Sequence, residues 1–236
     1  MKENMRKKIS KTLAIMSLIL MAACTHQTSV NHGVLKSLFQ RWDEGKIGES
    51  EKNNNINILH DFLTKNPNIS TDELNALSPF ITIYEIDRFR MVEYIENPEY
   101  YGLSGRESFH LTLADGKSNI IDSRGSMRIE DIRKTGEHVY TLFATDYKVS
   151  TVSGIKIFNL ELDDDEVRKT SLIKKEHLPE TFYYDEASEV LYYKNGHIFF
   201  KDISDHGDTV VIDTGDSEYR MTLVQDEYGQ LSMKIY

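Results

Sequence analysis

The chain has 236 residues, 39% of them hydrophobic and 28% charged, which is ordinary for a globular protein with a sizeable core and argues against global disorder. Its balance is acidic, 28 Lys and Arg against 38 Asp and Glu, and five of those bases (Lys2, Arg6, Lys7, Lys8, Lys11) precede residue 13, so the remainder would be repelled by a phosphate backbone. Nucleic acid is therefore excluded as the expected partner, and a single cysteine excludes an internal disulfide or a Cys-based zinc framework.

Residues 1–12, MKENMRKKISKT, form a basic region, and residues 13–23, LAIMSLILMAA, an apolar run too short to span a bilayer comfortably. A basic region, a short apolar region and small residues before the break are the parts of a secretory signal peptide. The last four residues, Met21-Ala22-Ala23-Cys24, resemble the lipobox of bacterial lipoproteins, with Met21 where that class usually has leucine. The resemblance implies a diacylglyceryl group on the Cys24 sulfur and cleavage between Ala23 and Cys24, with Met21, Ala22 and Ala23 recognised by the signal peptidase. Acyl chains would then hold the protein to the membrane. Thr25, in place of an inner-membrane retention aspartate, points to the outer membrane. An uncleaved anchor over 9–23 and a plain signal peptide cut near Ala22-Ala23 are the alternatives. The resemblance covers the first 24 residues and is silent on the rest, of which 24–33 read as the lipidated cysteine and a polar tether.

Residues 34–79 read as helical. Val34, Leu35, Leu38, Phe39 and Trp42 share an amphipathic face, which Gly45 and Gly48 interrupt. Ile56, Leu59, Phe62 and Leu63 predict a second helix over 54–65, stopped at Asn66-Pro67, with the polar run GESEKNNNIN as the loop before it. Ser70-Thr71-Asp72-Glu73 carries capping chemistry for a short third helix.

From residue 80 to 236 the pattern is one of strands: FITIYEI, RMVEYIE, SFHLTLA, KSNIID, HVYTLFAT, GIKIFNLEL, VLYYK, HIFFKDI, TVVID, YRMTLVQ and QLSMKIY. Asp115-Gly116 and Asn195-Gly196 each have the composition of a two-residue hairpin turn, and Asp226-Glu227-Tyr228-Gly229 that of a longer one. About a dozen strands without intervening long helices predict a mainly β fold with a short α-helical N-terminal segment, an antiparallel curved sheet or sandwich. An echo between GIKIFNLELDD and GHIFFKDISDH, at the spacing of propeller blades, makes a small or incomplete propeller the alternative.

Chemistry is less legible. Asp163-Asp164-Asp165-Glu166 lacks the alternation of a calcium loop and reads as a solvated turn. Asp202, Asp205, His206 and Asp208 make a second polar loop with no geometry to fix it. The histidines are scattered, and His110, His138 and His197 read as half-exposed strand residues. No nucleophile elbow, P-loop or Rossmann glycine pattern occurs, and no cofactor is implied. Tyrosine and phenylalanine doublets recur at Tyr100-Tyr101, Tyr183-Tyr184, Tyr192-Tyr193 and Phe199-Phe200. Neighbours on a strand face opposite ways, so each doublet supplies one core ring and one surface ring. The surface rings of Tyr183/Tyr184 and Tyr192/Tyr193 are the candidate binding patch. The expectation is a membrane-anchored envelope lipoprotein with a non-enzymatic module for a protein, peptide or glycan. A lipid-anchored hydrolase using carboxylates in a cleft is the alternative.

Overall fold

The computed structural model describes residues 32–236 except 88, 98, 100–106, 115–116, 150–151 and 164–166, with backbone alone at 122–124, 148–149 and 152. Met21, Ala22, Ala23 and Cys24 lie outside the described residues, as do Tyr100-Tyr101. Helix α1 (His32–Asp43) buries Leu35, Phe39 and Trp42, while Val34 is exposed and Leu38 half-buried, so its apolar stripe is narrower than its spacing predicts. Helix α2 (Glu49–Lys65) starts five residues before the predicted point, and the loop shrinks to residues 44–48. Two causes extend it. Glu51 accepts a hydrogen bond from the Gly48 N–H at 3.3 Å, and Lys52 and Asn55, polar by type, are buried on the face that carries Ile56 and Leu59. Helix α3 (Thr71–Asn75) has the expected box, with the Glu73 N–H donating to Ser70 Oγ and the Ser70 N–H to the Glu73 carboxylate.

Fourteen strands follow among the described residues, in three antiparallel sheets. The first is the meander β1 (Ile81–Ile86), β2 (Phe89–Ile95), β3 (Ser108–Ala114), β4 (Lys117–Gly125). The second runs β5 (Met127–Lys134), β6 (Val139–Val149), β7 (Val152–Leu162), β10 (Val190–Tyr193), β9 (Phe182–Asp185), with β8 (Val167–Ser171) also bonded to β7. The third is the meander β11 (Phe199–Ile203), β12 (Thr209–Asp213), β13 (Glu218–Gln225), β14 (Leu231–Ile235). They stack as layers. Phe39 and Trp42 of α1 pack on Tyr94 and Phe109 of the first sheet, with ring centroids 4.8–6.3 Å apart. The other face of that sheet, through Phe89, Met91 and Ala114, shares a core with Ile129, Leu142, Phe158 and Leu160 of the second. The opposite face of the second sheet meets the third through Phe143, Ile155, Ile157 and Leu191 against Val210, Ile212, Met221 and Met233. The central sheet is thus covered on both sides along β5, β6 and β7, whose residues alternate between two cores, while β9 and β10 contribute nothing to the core shared with the first sheet.

The expected mainly antiparallel β fold with a helical N-terminal segment is what the chain adopts, as packed sheets without barrel or propeller closure. The echo has no structural counterpart: GIKIFNLEL lies in an inner strand of the second sheet and HIFFKDI in the edge strand of the third. Asn195-Gly196 makes no hairpin either. Both sides of β10 are already occupied, by β7 and β9, so the turn sends the chain across to the third sheet, and Gly196 is not among the glycines at positive φ. The other two turns join paired strands. Ala114 lies opposite Lys117, with Asp115-Gly116 themselves outside the described residues, and Gln225 lies opposite Leu231 around Gly229 at φ 81°. Among the described residues no helix is long and apolar enough to cross a membrane.

Asp43, the last residue of α1, ties the helices to the sheet, accepting from Ser78 Oγ at 2.9 Å and from the Tyr94 hydroxyl at 3.0 Å. Burial pushes its carboxyl above the ordinary value despite those bonds, and the helix C-terminus is an unfavourable end for a negative charge. A raised acid costs the folded state once ionised. The cost is full above the folded value and vanishes below the unfolded one, about 3.9. Asp43→Asn, which keeps an acceptor oxygen, is expected to raise the urea midpoint at pH 7 and to lose that advantage as pH falls toward about 4.

Candidate functional site

One cross-strand row of the second sheet gathers residues from all five strands of its main path. Register places Met127 opposite Asp146, Asp146 opposite Gly154, Gly154 opposite Tyr192, and Tyr192 opposite Tyr183. The glycine decides what the row looks like. A Cβ at Gly154 would fall 2.2 Å from Val190 Cγ1 and 2.8 Å from Tyr192 Cε1, so the Tyr192 ring lies down across the β7 backbone. Tyr183 stacks on it at 4.9 Å with 17° between the planes. The inner ring is 5% exposed and the outer 48%, which leaves a two-storey stack resting on the sheet with its upper ring in solvent.

The hairpin joining β9 to β10 fixes the pair. Asp185 accepts from the Ala187 N–H at 3.1 Å and from Ser188 Oγ at 2.7 Å, and Glu189 takes the left-handed conformation at φ 56°, anchored by Lys169 Nζ at 2.5 Å. Beside the inner ring, Asp146 is buried, accepting from Ser126 Oγ at 2.5 Å and paired with Lys156 Nζ at 3.5 Å. Burial first, and then the Asp146 carboxylate, push the Tyr192 hydroxyl up to about 12, so it stays a neutral donor under all ordinary conditions.

The four candidate tyrosines divide between the two faces as strand alternation requires, but Tyr192 and Tyr193 are both buried, so that doublet supplies no surface ring of its own. Tyr183 and Tyr192 form the stack. Tyr184 and Tyr193 turn to the opposite face and pack against the third sheet, where their hydroxyls reach Ser171 Oγ at 2.8 Å and the Asp216 carboxylate at 3.3 Å. Phe199-Phe200 divides likewise, Phe199 being exposed and stacked on His197 while Phe200 packs edge-on to Phe143. Gly154, Asp146 and Lys156 were not legible as site residues, because register alone brings them beside the tyrosines. The one local signal was a glycine inside a strand pattern, which marks close approach of another group.

Other polar centres serve the fold. His110, expected half-exposed, is fully buried, and its Nε2–H donates to Glu93 Oε1 at 3.1 Å. His138 and His197 lie just before β6 and β11 rather than within them. The Ser153 N–H donates to His197 Nδ1 at 3.2 Å, and Ser153 Oγ donates to the Ile198 carbonyl at 3.1 Å, so this buried hydroxyl is committed to the crossover between sheets. Glu96 is buried against Lys52 and Trp42. Asp163 pairs with exposed Arg168, and the rest of that acidic run, 164–166, lies outside the described residues. Among the described residues no three His, Cys, Asp or Glu side chains gather as metal ligands, the loop with Asp202, Asp205, His206 and Asp208 included. No protein-family model, curated protein or solved structure matches the chain.

Proposed function

We propose that this chain is a lipid-anchored envelope protein that holds a partner against the Tyr183–Tyr192 stack and carries out no chemistry on it. The observation that supports this reading is the stack itself: an exposed tyrosine whose ring is held by a second, buried ring. Such a ring offers large contact area at little cost in conformational entropy, because its position is set before anything binds. The hydrolase alternative draws no support from the buried carboxylates. Glu93, Glu96 and Asp146 each spend their oxygens on bonds within the fold. The anchor rests on Met21-Ala22-Ala23-Cys24 alone.

Two measurements check the two halves. Cys24→Ser is expected to abolish metabolic labelling by a fatty acid and to release the protein from membranes, and persistent labelling removes the anchor. For the stack, a photo-crosslinking amino acid is placed at position 183 in cells, with position 228, a tyrosine 82% exposed in the β13–β14 loop, as control. A discrete adduct at 183 and none at 228 is the expected result. Equal labelling at both positions would falsify a binding role for the stack.

A further inference from the structure

We infer that the group received by the stack is a cation, an arginine or lysine side chain of a partner polypeptide; this rests on the reading of the stack as a binding surface. The face of an aromatic ring carries the negative part of its quadrupole and attracts a cation set above it. Here Tyr183 is 48% exposed and its ring is stacked on that of buried Tyr192, which holds it in place.

The surroundings add charge of the matching sign. The carboxylates of Asp146 and Asp185 both oppose ionisation of the Tyr192 hydroxyl. The hairpin from Thr181 to Lys194 carries Asp185, Glu186 and Glu189 against Lys194 alone. Two further bases on this face offset two of these acids, Lys156 pairing with Asp146 and Lys169 with Glu189, so that Asp185 and Glu186 against Lys194 leave the surroundings negative by one charge. With a net charge of −10 the whole chain draws cations toward itself and repels anionic partners. A neutral sugar stacking on Tyr183 would gain little from that field. The fold also makes the same kind of contact internally. Lys169 Nζ sits 4.8 Å from the centroid of Phe158, four residues beyond Gly154 on the same face of β7.

The test uses the full-length protein in neutral detergent, titrated calorimetrically with penta-arginine amide and, separately, with maltopentaose. The peptide is expected to bind, to weaken as salt rises, and to lose about two- to fivefold in affinity on Tyr183→Ala. Tyr183→Trp is expected to tighten binding, since tryptophan presents the strongest face for a cation. Tyr183 is half exposed, so both variants should stay folded, with Tm, measured alongside, falling by no more than about a few degrees on Tyr183→Ala as the stacking is lost. Peptide affinity indifferent to Tyr183→Ala means that net charge alone attracts it and overturns the inference. Maltopentaose binding that Tyr183→Ala removes overturns the cationic class while leaving a binding surface in place. If neither probe binds, the inference fails, and crosslinking at position 183 still decides separately whether the stack is a binding surface.

Discussion

Glu93→Ala is expected to cost about 3–5 kcal/mol, the range for removing one member of a buried pair. The reason lies in how the first sheet covers an edge of the second. β5 is an edge strand, and opposite Ala144 both polar groups of Ile129 point outward, away from β6. Glu93 Oε1 accepts the Ile129 N–H at 2.7 Å, and the Tyr84 hydroxyl, lying 2.9 Å from the Ile129 carbonyl oxygen and 3.0 Å from Glu93 Oε2, shares its proton between them. Two residues earlier, Ser108 Oγ donates to the Met127 carbonyl at 2.6 Å. Burial, and then the charge of Glu93, push the Tyr84 hydroxyl upward, which keeps it a donor. Removing the carboxylate strands the Ile129 N–H and leaves fully buried His110 without a partner at either nitrogen, since its Nδ1 has none already. In a chain of this length each kcal/mol lowers Tm by about 2–4 °C. Glu93→Gln keeps an acceptor for Ile129 and should lose less. Replacing Glu93 and His110 together by leucine should also lose less than the single alanine, because the imidazole leaves with the carboxylate and only the Ile129 N–H is then stranded. Urea midpoints for the four proteins decide it. A Glu93→Ala loss under 1 kcal/mol would show that the pair does not hold the two sheets together.

Lys52→Met is expected to cost a similar amount, about 3–5 kcal/mol, and to lower a single transition. Lys52 Nζ lies 2.5 Å from Glu96, 3.2 Å from Glu49 and 3.4 Å from Glu107, all but buried, while Glu96 also accepts from the Trp42 indole at 3.1 Å and the Glu107 N–H at 3.0 Å. Without the ammonium, Glu96 remains a buried charge held by two neutral donors. Burial opposes the charge on Lys52, but the bond and attraction of Glu96, then Glu49 and Glu107, outweigh it and hold the group above its ordinary value. A raised base stabilises the fold fully below its unfolded value of about 10.4 and loses that contribution as pH rises through the folded one. The wild-type advantage over Lys52→Met should therefore be complete at pH 7 and shrink above about pH 10.5. The only tryptophan sits in α1 against Tyr94 and Phe109, so its fluorescence reports the helical layer while far-ultraviolet dichroism reports the strands. Coincident midpoints are expected in both proteins, because the helices share their core with the first sheet. Separate midpoints would mean that the helical segment unfolds by itself.

How far the fold was legible depends on where each element takes its instructions. The capping box at Ser70 and the turn at Gly229 act within a few residues, and both stand as expected. Strand β5 was missed, because a bulge between Ile129 and Asp131 interrupts the alternation of Met127, Ile129 and Ile132. Strand β8, with Arg168, Lys169 and Thr170 mostly exposed, has no apolar pattern to detect and exists because β7 offers it a free length of edge. The early start of α2 escaped notice because a lysine and an asparagine occupy its buried face, and only their partners on other elements make that burial tolerable.

By itself, then, the sequence determined the β class, the helical lead, the division of each described aromatic doublet between two faces, and an acidity that disfavours nucleic acid. Each follows from composition or from periods of two and 3.6 residues, which need no knowledge of distant segments. The tertiary structure decided that Glu93 meets His110 between two sheets, that Asn195-Gly196 crosses rather than reverses, and that Tyr183 rests on Tyr192 above Gly154. Those outcomes depend on register and on layer contacts between residues tens of positions apart. A one-residue slip in register would turn Tyr192 to the other face and leave the local pattern unchanged.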